Sequence, residues 1–251
     1  MKGLQRVFGF FTILPLSSAG TVEDVARAGY FIPLAGAVLG GAEGLIGWGS
    51  ARIFGQPLAA AMVMAAALLL TGFHHADGLA DLGDALMAHG DAARRIEVLK
   101  DRTMGVGAAG ALLITYLISW AALLQLLSLR TGWQLVWSLM AVEIAARLSM
   151  LVVIAAGKPS HDGSGYTFIL TMKGARCVAA IIMSLAGLAL LFLVQPLTGV
   201  MAAGGAGIAA GIALTLAGKH WFGGAGGDIM GASVELGRMA ALIGLVAAAL
   251  P

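Results

Sequence analysis

Seven stretches of this chain are apolar for about the length a helix needs to cross a bilayer, roughly 17 to 25 residues. No other property of the sequence restricts its fold so strongly. They cover 31–53, 57–73, 105–129, 133–157, 176–194, 197–218 and 236–251, the last being the shortest. Backbone in lipid must satisfy its hydrogen bonds internally, so each stretch is expected as a helix. The alternating pattern of a membrane β-barrel is absent. With 59% hydrophobic and 11% charged residues, the chain has too little polar surface to cover a soluble core. The expectation is an all-α, polytopic membrane protein: a single integral-membrane catalytic domain over 1–251, with about seven transmembrane helices, an N-terminal interfacial helix and surface helices.

The apolar run from Leu4 to Leu16 is too short to span and reads as an interfacial or re-entrant helix ending at Pro15. Lys2 and Arg6 precede it, but it lacks the small-residue cleavage pattern of a signal peptide. A net charge of +2 and the absence of a basic tract argue against a nucleic-acid partner. Cys177 is the single cysteine, which rules out an intramolecular disulfide and argues against a cysteine-based metal site.

The spans pair into hairpins with short turns near Gln56, Thr131 and Gln195-Pro196. Longer polar segments, 74–104, 158–175 and 219–235, lie between the hairpins. Two crossings per hairpin put the amino terminus and all three polar segments on one face. Arg52 and Arg130 fall on the opposite side and Arg147 lies within a span; the other twelve of the fifteen Lys and Arg belong to the shared face. Excess Lys and Arg marks the cytoplasm, so the chemistry is expected there, in a bacterial or archaeal plasma membrane. Gly36, Gly40 and Gly44 have the small-xxx-small spacing of close helix packing; a homo-oligomer seam is the alternative use of that stripe.

Residues 71–91 read TGFHHADGLADLGDALMAHGD. Asp77, Asp81 and Asp84, at i, i+4 and i+7, fall within about 60° on a helix and form one acidic stripe. Gly78 and Gly83 would let a bulky ligand approach the backbone. Clustered carboxylates repel one another unless a cation neutralises them, and oxygen ligands of this kind suit Mg²⁺ with substrate phosphates completing the shell. A solvated acidic face is the plainer alternative. His74 and His75 precede the stripe as candidate ligand, base or phosphate contact. In RRIEVLKDRTMG, Arg94, Lys100 and Arg102 are candidate phosphate contacts and Asp101 a further ligand; an ion-paired surface helix explains the same residues. Arg147, inside a span with Glu143 four residues earlier, is either a diphosphate clamp or half of a structural pair. The loop KPSHDGSGYTF, with His161 and Asp162, reads as a flexible cover or as ordinary turn chemistry. In GGAGGDIMGASVELG, Gly227 and Asp228 either bring backbone amides and a carboxylate to a phosphate and its cation or cap a helix.

These segments resemble the cobalamin synthase family, the adenosylcobinamide-GDP ribazoletransferases. The resemblance runs over most of the chain, from FFTILPL through TGFHHADGLADLGD, EVLKDRTMG and Arg147 to GGAGGDIMGASVELG. His75 aligns with the family histidine. Ala85 stands where glycine is usual, and Arg102-Thr103 where Ser-Arg is common. The resemblance implies transfer of adenosylcobinamide phosphate from adenosylcobinamide-GDP to α-ribazole or its 5′-phosphate, with release of GMP. It implies Mg²⁺ on Asp77, Asp81 and Asp84, with Asp101 or Asp228 as further ligands, and His75 as base or orienting residue. A CDP-alcohol phosphotransferase is the nearest rival, but its A-R element and acid spacing are missing. The paired acidic motifs of an intramembrane prenyltransferase are not reproduced, and an ion-coupled transporter would place its acids near midspan.

Overall fold

A computed structural model describes residues 2–16, 20–101 and 103–250. In chain order its helices are α1 (Lys2–Phe11), α2 (Val22–Arg27), α3 (Ile32–Phe54), α4 (Gln56–Leu70), α5 (His74–Met87), α6 (Ala92–Leu99), α7 (Val106–Leu129), α8 (Trp133–Ala156), α9 (Ser164–Met172), α10 (Ala175–Leu191), α11 (Leu197–Phe222) and α12 (Gly227–Ala247). A 3₁₀ turn, Gly29–Phe31, leads into α3.

Helices α7, α8, α11, α12, and α3 with its 3₁₀ turn, are long and apolar enough to span a membrane. The pairs α4–α5 and α9–α10 bend by 93° and 88°, giving seven crossings if each pair counts as one. The first bend is made at Gly72 and Phe73, which have φ of 60° and 59°. Glycine adopts this left-handed geometry freely, whereas a side chain costs roughly 1–2 kcal/mol there. The second bend passes through Gly174, φ 87°. At 15 residues, α4 rises only about 22 Å, and α5 turns away across the end of the bundle.

α8 is the central post, packed against α3, α10, α11 and α12. The glycine stripe of α3 faces it: a Cβ on Gly36 would stand 2.8 Å from the Glu143 carbonyl oxygen, and one on Gly44 2.5 Å from Val136 Cα. The small-xxx-small pattern therefore serves packing within the chain, where hydrocarbon solvent leaves van der Waals fit to hold helices together.

Two differences from the expected boundaries bear on the site. α12 begins at Gly227, not near 236, so Glu235 joins Arg238 inside it, and both are buried. Hydropathy alone misses this because these charges are neutralised by pairing within the bundle. α1 ends at Phe11, before Pro15, and buries Val7, Phe8 and Phe11 against the protein.

Candidate active site

The acidic stripe forms on one helix, as its spacing predicts. On α5, Asp77 is exposed, while Asp81 and Asp84 are half-buried. The glycines of the motif do not receive a ligand. A Cβ on Gly78 would lie 2.7 Å from the Asp228 carbonyl oxygen, and one on Gly83 2.6 Å from that of Gly107. They let α12 and α7 approach α5, which brings Asp228 beside the stripe.

Asp84 has a defined structural task. One of its carboxylate oxygens accepts the Gly105 amide at 2.6 Å and the other the Ala108 amide at 2.8 Å. It thereby caps the start of α7 from another helix. Asp81 is held up at about 7, chiefly by partial burial and then by the charges of Asp77, Asp228 and Asp84. A carboxylate so placed gains most from a cation. Among the described residues, however, no three His, Cys, Asp or Glu side chains group closely enough to hold a metal ion alone.

Three small clefts adjoin around these residues. The first, about 200 Å³, is walled by Phe10, Phe11, Phe168 and Met150 and bounded by His75, Asp77, Gly227 and Asp228. The second, about 280 Å³, holds Asp77, Asp81, Asp84, Lys100, Asp101 and Thr103. The third, about 220 Å³, holds Lys100, His161, Asp162, Ser164, Gly227 and Asp228. Asp77 is common to the first and second, Lys100 to the second and third, and Asp228 to the third and first. The amino-terminal helix and all three polar segments thus contribute to one connected surface.

The loop 158–163 is pinned rather than left as a flexible cover. Ala225 N–H donates to the Lys158 carbonyl at 2.7 Å and Ser160 N–H to that of Ala225 at 3.1 Å. His161 lies over the glycine turn, its Cε1 2.5 Å from where a Gly226 Cβ would stand, and its Nδ1 is 2.8 Å from Ser160 Oγ. Burial lowers its pKa while Asp228 opposes that shift.

The other expected residues stand to this surface in different ways. Arg94 is exposed and paired with Glu97 at 2.9 Å; its neighbour Arg95 instead turns inward, donating to the Ala85 and Leu86 carbonyls at the end of α5. Asp101 lies beyond the end of α6 and accepts the Thr103 amide at 3.0 Å. Arg102 lies outside the described residues. His75 is only 2% exposed and neither ring nitrogen has a hydrogen-bond partner. Burial, followed by the Arg147 and Arg238 charges, holds its imidazole well below the usual range, and so neutral.

Arg147 is fully buried and does not line the clefts. It donates to Glu143 at 2.5 Å. Glu143 also accepts from Arg238, which reaches Glu235 at 2.5 Å. The structural alternative for Arg147 is therefore the one realised, in a larger cluster than the sequence indicated. The E-x-x-R spacing of Glu235 and Arg238 was the available signal, since i and i+3 share a helix face. Nothing in the spacing of His161 marked it, because the link to Asp228 is tertiary.

The profile of the cobalamin-5-phosphate synthase family matches residues 3–246. An adenosylcobinamide-GDP ribazoletransferase of Methanosarcina barkeri is 34% identical over 251 aligned residues, covering 94% of this chain and 88% of that protein. The namesake from Methanosarcina mazei is 30% identical with the same coverage. One from Saccharolobus islandicus is 41% identical over 127 residues, half of each chain. No solved structure matches. The chain belongs to the cobalamin-5-phosphate synthase family.

Proposed function

We propose that this chain is an adenosylcobinamide-GDP ribazoletransferase, joining adenosylcobinamide-GDP to α-ribazole or its 5′-phosphate. A ribazole hydroxyl oxygen bonds to the phosphorus next to cobinamide. The bond from that phosphorus to the bridging oxygen breaks, and GMP leaves with the electron pair. The hydroxyl proton passes to a base or to solvent. Family membership names the reaction; the connected clefts, carboxylates on one wall and Lys100 on another, are the observation that carries it to these residues.

The donor set fits Mg²⁺, a hard cation that takes oxygen ligands and keeps positions for water and substrate phosphate. Asp77 paired with Asp81 or with Asp228 would hold it together with substrate phosphate and water; when bound it neutralises the diphosphate and the charge developing on GMP. Asp84, whose oxygens already hold two amides of α7, sets the α5–α7 geometry. Lys100, between two clefts, meets the phosphates as a point charge. Arg94, in a solvated pair with Glu97, lines none of the three clefts. The placement of Lys and Arg supports a cytoplasmic site in the plasma membrane.

The test is GMP release by purified protein in lipid nanodiscs. Turnover should require both substrates and Mg²⁺, and Asp81→Asn should abolish it. Normal turnover of Asp81→Asn without added metal would overturn the acidic site. A cysteine placed at Arg94 should react with impermeant maleimide from the cytoplasmic side only; labelling from outside would overturn the orientation.

A further inference from the structure

We infer that the first cleft seats the planar heteroaromatic base of the nucleoside acceptor, with His75 donating a hydrogen bond to its one free ring nitrogen. The inference rests on the proposed reaction for the identity of the nucleoside, and on the cavity itself for the chemistry recognised.

Four observations carry it. First, the walls suit a flat ring. The Phe10 and Phe168 rings stand 5.5 Å apart at 44°, Phe10 and Phe11 5.0 Å apart at 77°, and Phe11 lies against His75 at 6.1 Å and 20°. At such spacings these rings pack against one another, so together they form one aromatic wall whose open side a flat ring can lie against. Second, at about 200 Å³ the cavity is smaller than the roughly 300–1,000 Å³ that engulfs a drug-sized ligand. It holds one ring system and leaves the sugar at the mouth.

Third, the interior offers an unmet hydrogen-bonding group. His75 is buried with both nitrogens unpartnered, and such a group costs stability unless something completes it. A benzimidazole riboside carries one acceptor nitrogen and no exocyclic polar group, so a single donor satisfies it. Guanine presents O6, N7 and an amino group, several of which would be left unpaired against phenylalanine and methionine. Fourth, Asp77 and Asp228 are shared with the neighbouring clefts and so mark the mouth. A sugar leaving the cleft there stands beside Lys100 and beside the carboxylates that would hold the cation, where the diphosphate would bind.

The experiment is equilibrium dialysis of the full chain in nanodiscs, without the cobinamide substrate. The probes are α-ribazole and an indole riboside in which the free ring nitrogen is replaced by CH. Wild type should bind α-ribazole about tenfold more tightly, the worth of one buried hydrogen bond. In His75→Phe the two probes should bind alike, a change that loosened packing would not produce. His75→Gln, which keeps an amide donor, should restore part of the preference, and Phe10→Leu should weaken both probes equally. A wild-type ratio near one overturns the inference, as does an unchanged ratio in His75→Phe or competition by guanosine equal to that by α-ribazole. If His75→Phe fails to fold, the wild-type ratio and His75→Gln decide. Selective nucleoside binding without GMP release would instead overturn the proposed reaction and leave the cavity assignment standing.

Discussion

Replacing Glu143 with glutamine should be among the most damaging single changes in this protein, although it removes no volume. Glu143 is fully buried at the middle of α8 and serves two guanidinia at once. Arg147 Nη1 donates to it at 2.5 Å, and Arg238 donates through Nε and, at 3.4 Å, through Nη2. An amide carries no charge, and its NH₂ group would face a guanidinium. Removing one partner of a buried pair typically costs about 3–5 kcal/mol, because the survivor is left uncompensated. Here Arg147 loses its hydrogen-bonded carboxylate outright, while Arg238 keeps Glu235. The expected loss is therefore about one such penalty, a large share of the roughly 5–15 kcal/mol that holds a typical domain folded.

A neighbouring residue supplies the control. Glu43 lies buried beside the same cluster, in no ion pair among the described residues, and its Oε1 has no hydrogen-bond partner. Glu43→Gln leaves Glu143, Glu235 and both guanidinia in place and should cost less than about 1 kcal/mol, since it strands no partner. Reversible unfolding in mixed micelles, titrated with SDS and followed by tryptophan fluorescence, measures both. Equal losses for the two variants, or a loss below about 1 kcal/mol for Glu143→Gln, would refute the assignment of Glu143 as the bridging anion.

Three further outcomes follow from the site. Asp84→Ala should destabilise the protein by about 0.5–2 kcal/mol through the lost cap on α7, whereas Asp84→Asn, which can still accept an amide, should cost less; equal losses in the same titration would exclude the capping role. Gly78→Val should abolish GMP release with a smaller loss of stability, about 1–3 kcal/mol of overpacking, because the new side chain meets the Asp228 backbone and drives α5 from α12; retained turnover would show that this contact does not set the site. In metal-free buffer the melting temperature should fall as pH rises from 4 to 8. Asp81 has a folded value of about 7 against 3.8 for the free side chain, so the folded state binds more protons in that window and its stabilisation is lost as pH rises. Asp81→Asn should flatten that slope, and an unchanged slope would show that Asp81 is not its source.

The residues that were legible from sequence are those whose partners lie within a turn or two on the same helix. The α5 stripe follows from 3.6 residues per turn, and the α3 glycines from their spacing of four. What escaped depends on contacts between distant segments. Gly78 and Gly83 signal close approach, but the sequence does not say whether a ligand or another helix approaches. The task of Asp84 is set by the start of α7, 21 residues later, and that of His161 by the glycine turn over 60 residues on. Arg94 and Arg95 are adjacent and alike in composition; only the fold sends one to solvent and the other onto the Ala85 carbonyl and the Trp221 ring.

The buried charges and the acidic site are linked through α12. Asp228 lies in its first turn and Glu235 seven residues on, a step that returns to nearly the same helical face about 10 Å deeper. Gly231, between them, lies over His75 and Gly78, where an added Cβ would stand 3.3 Å from the His75 carbonyl oxygen. A shift of α12 by one residue turns this face by about 100°. That shift would carry Asp228 out of the clefts and Glu235 and Arg238 away from Glu143 together. A wrong register thus strands charge in the bundle interior, where hydrocarbon alone discriminates weakly between one apolar helix face and another. The ion cluster makes the register of α12 against α8 costly to change, and that register puts Asp228 opposite Asp77.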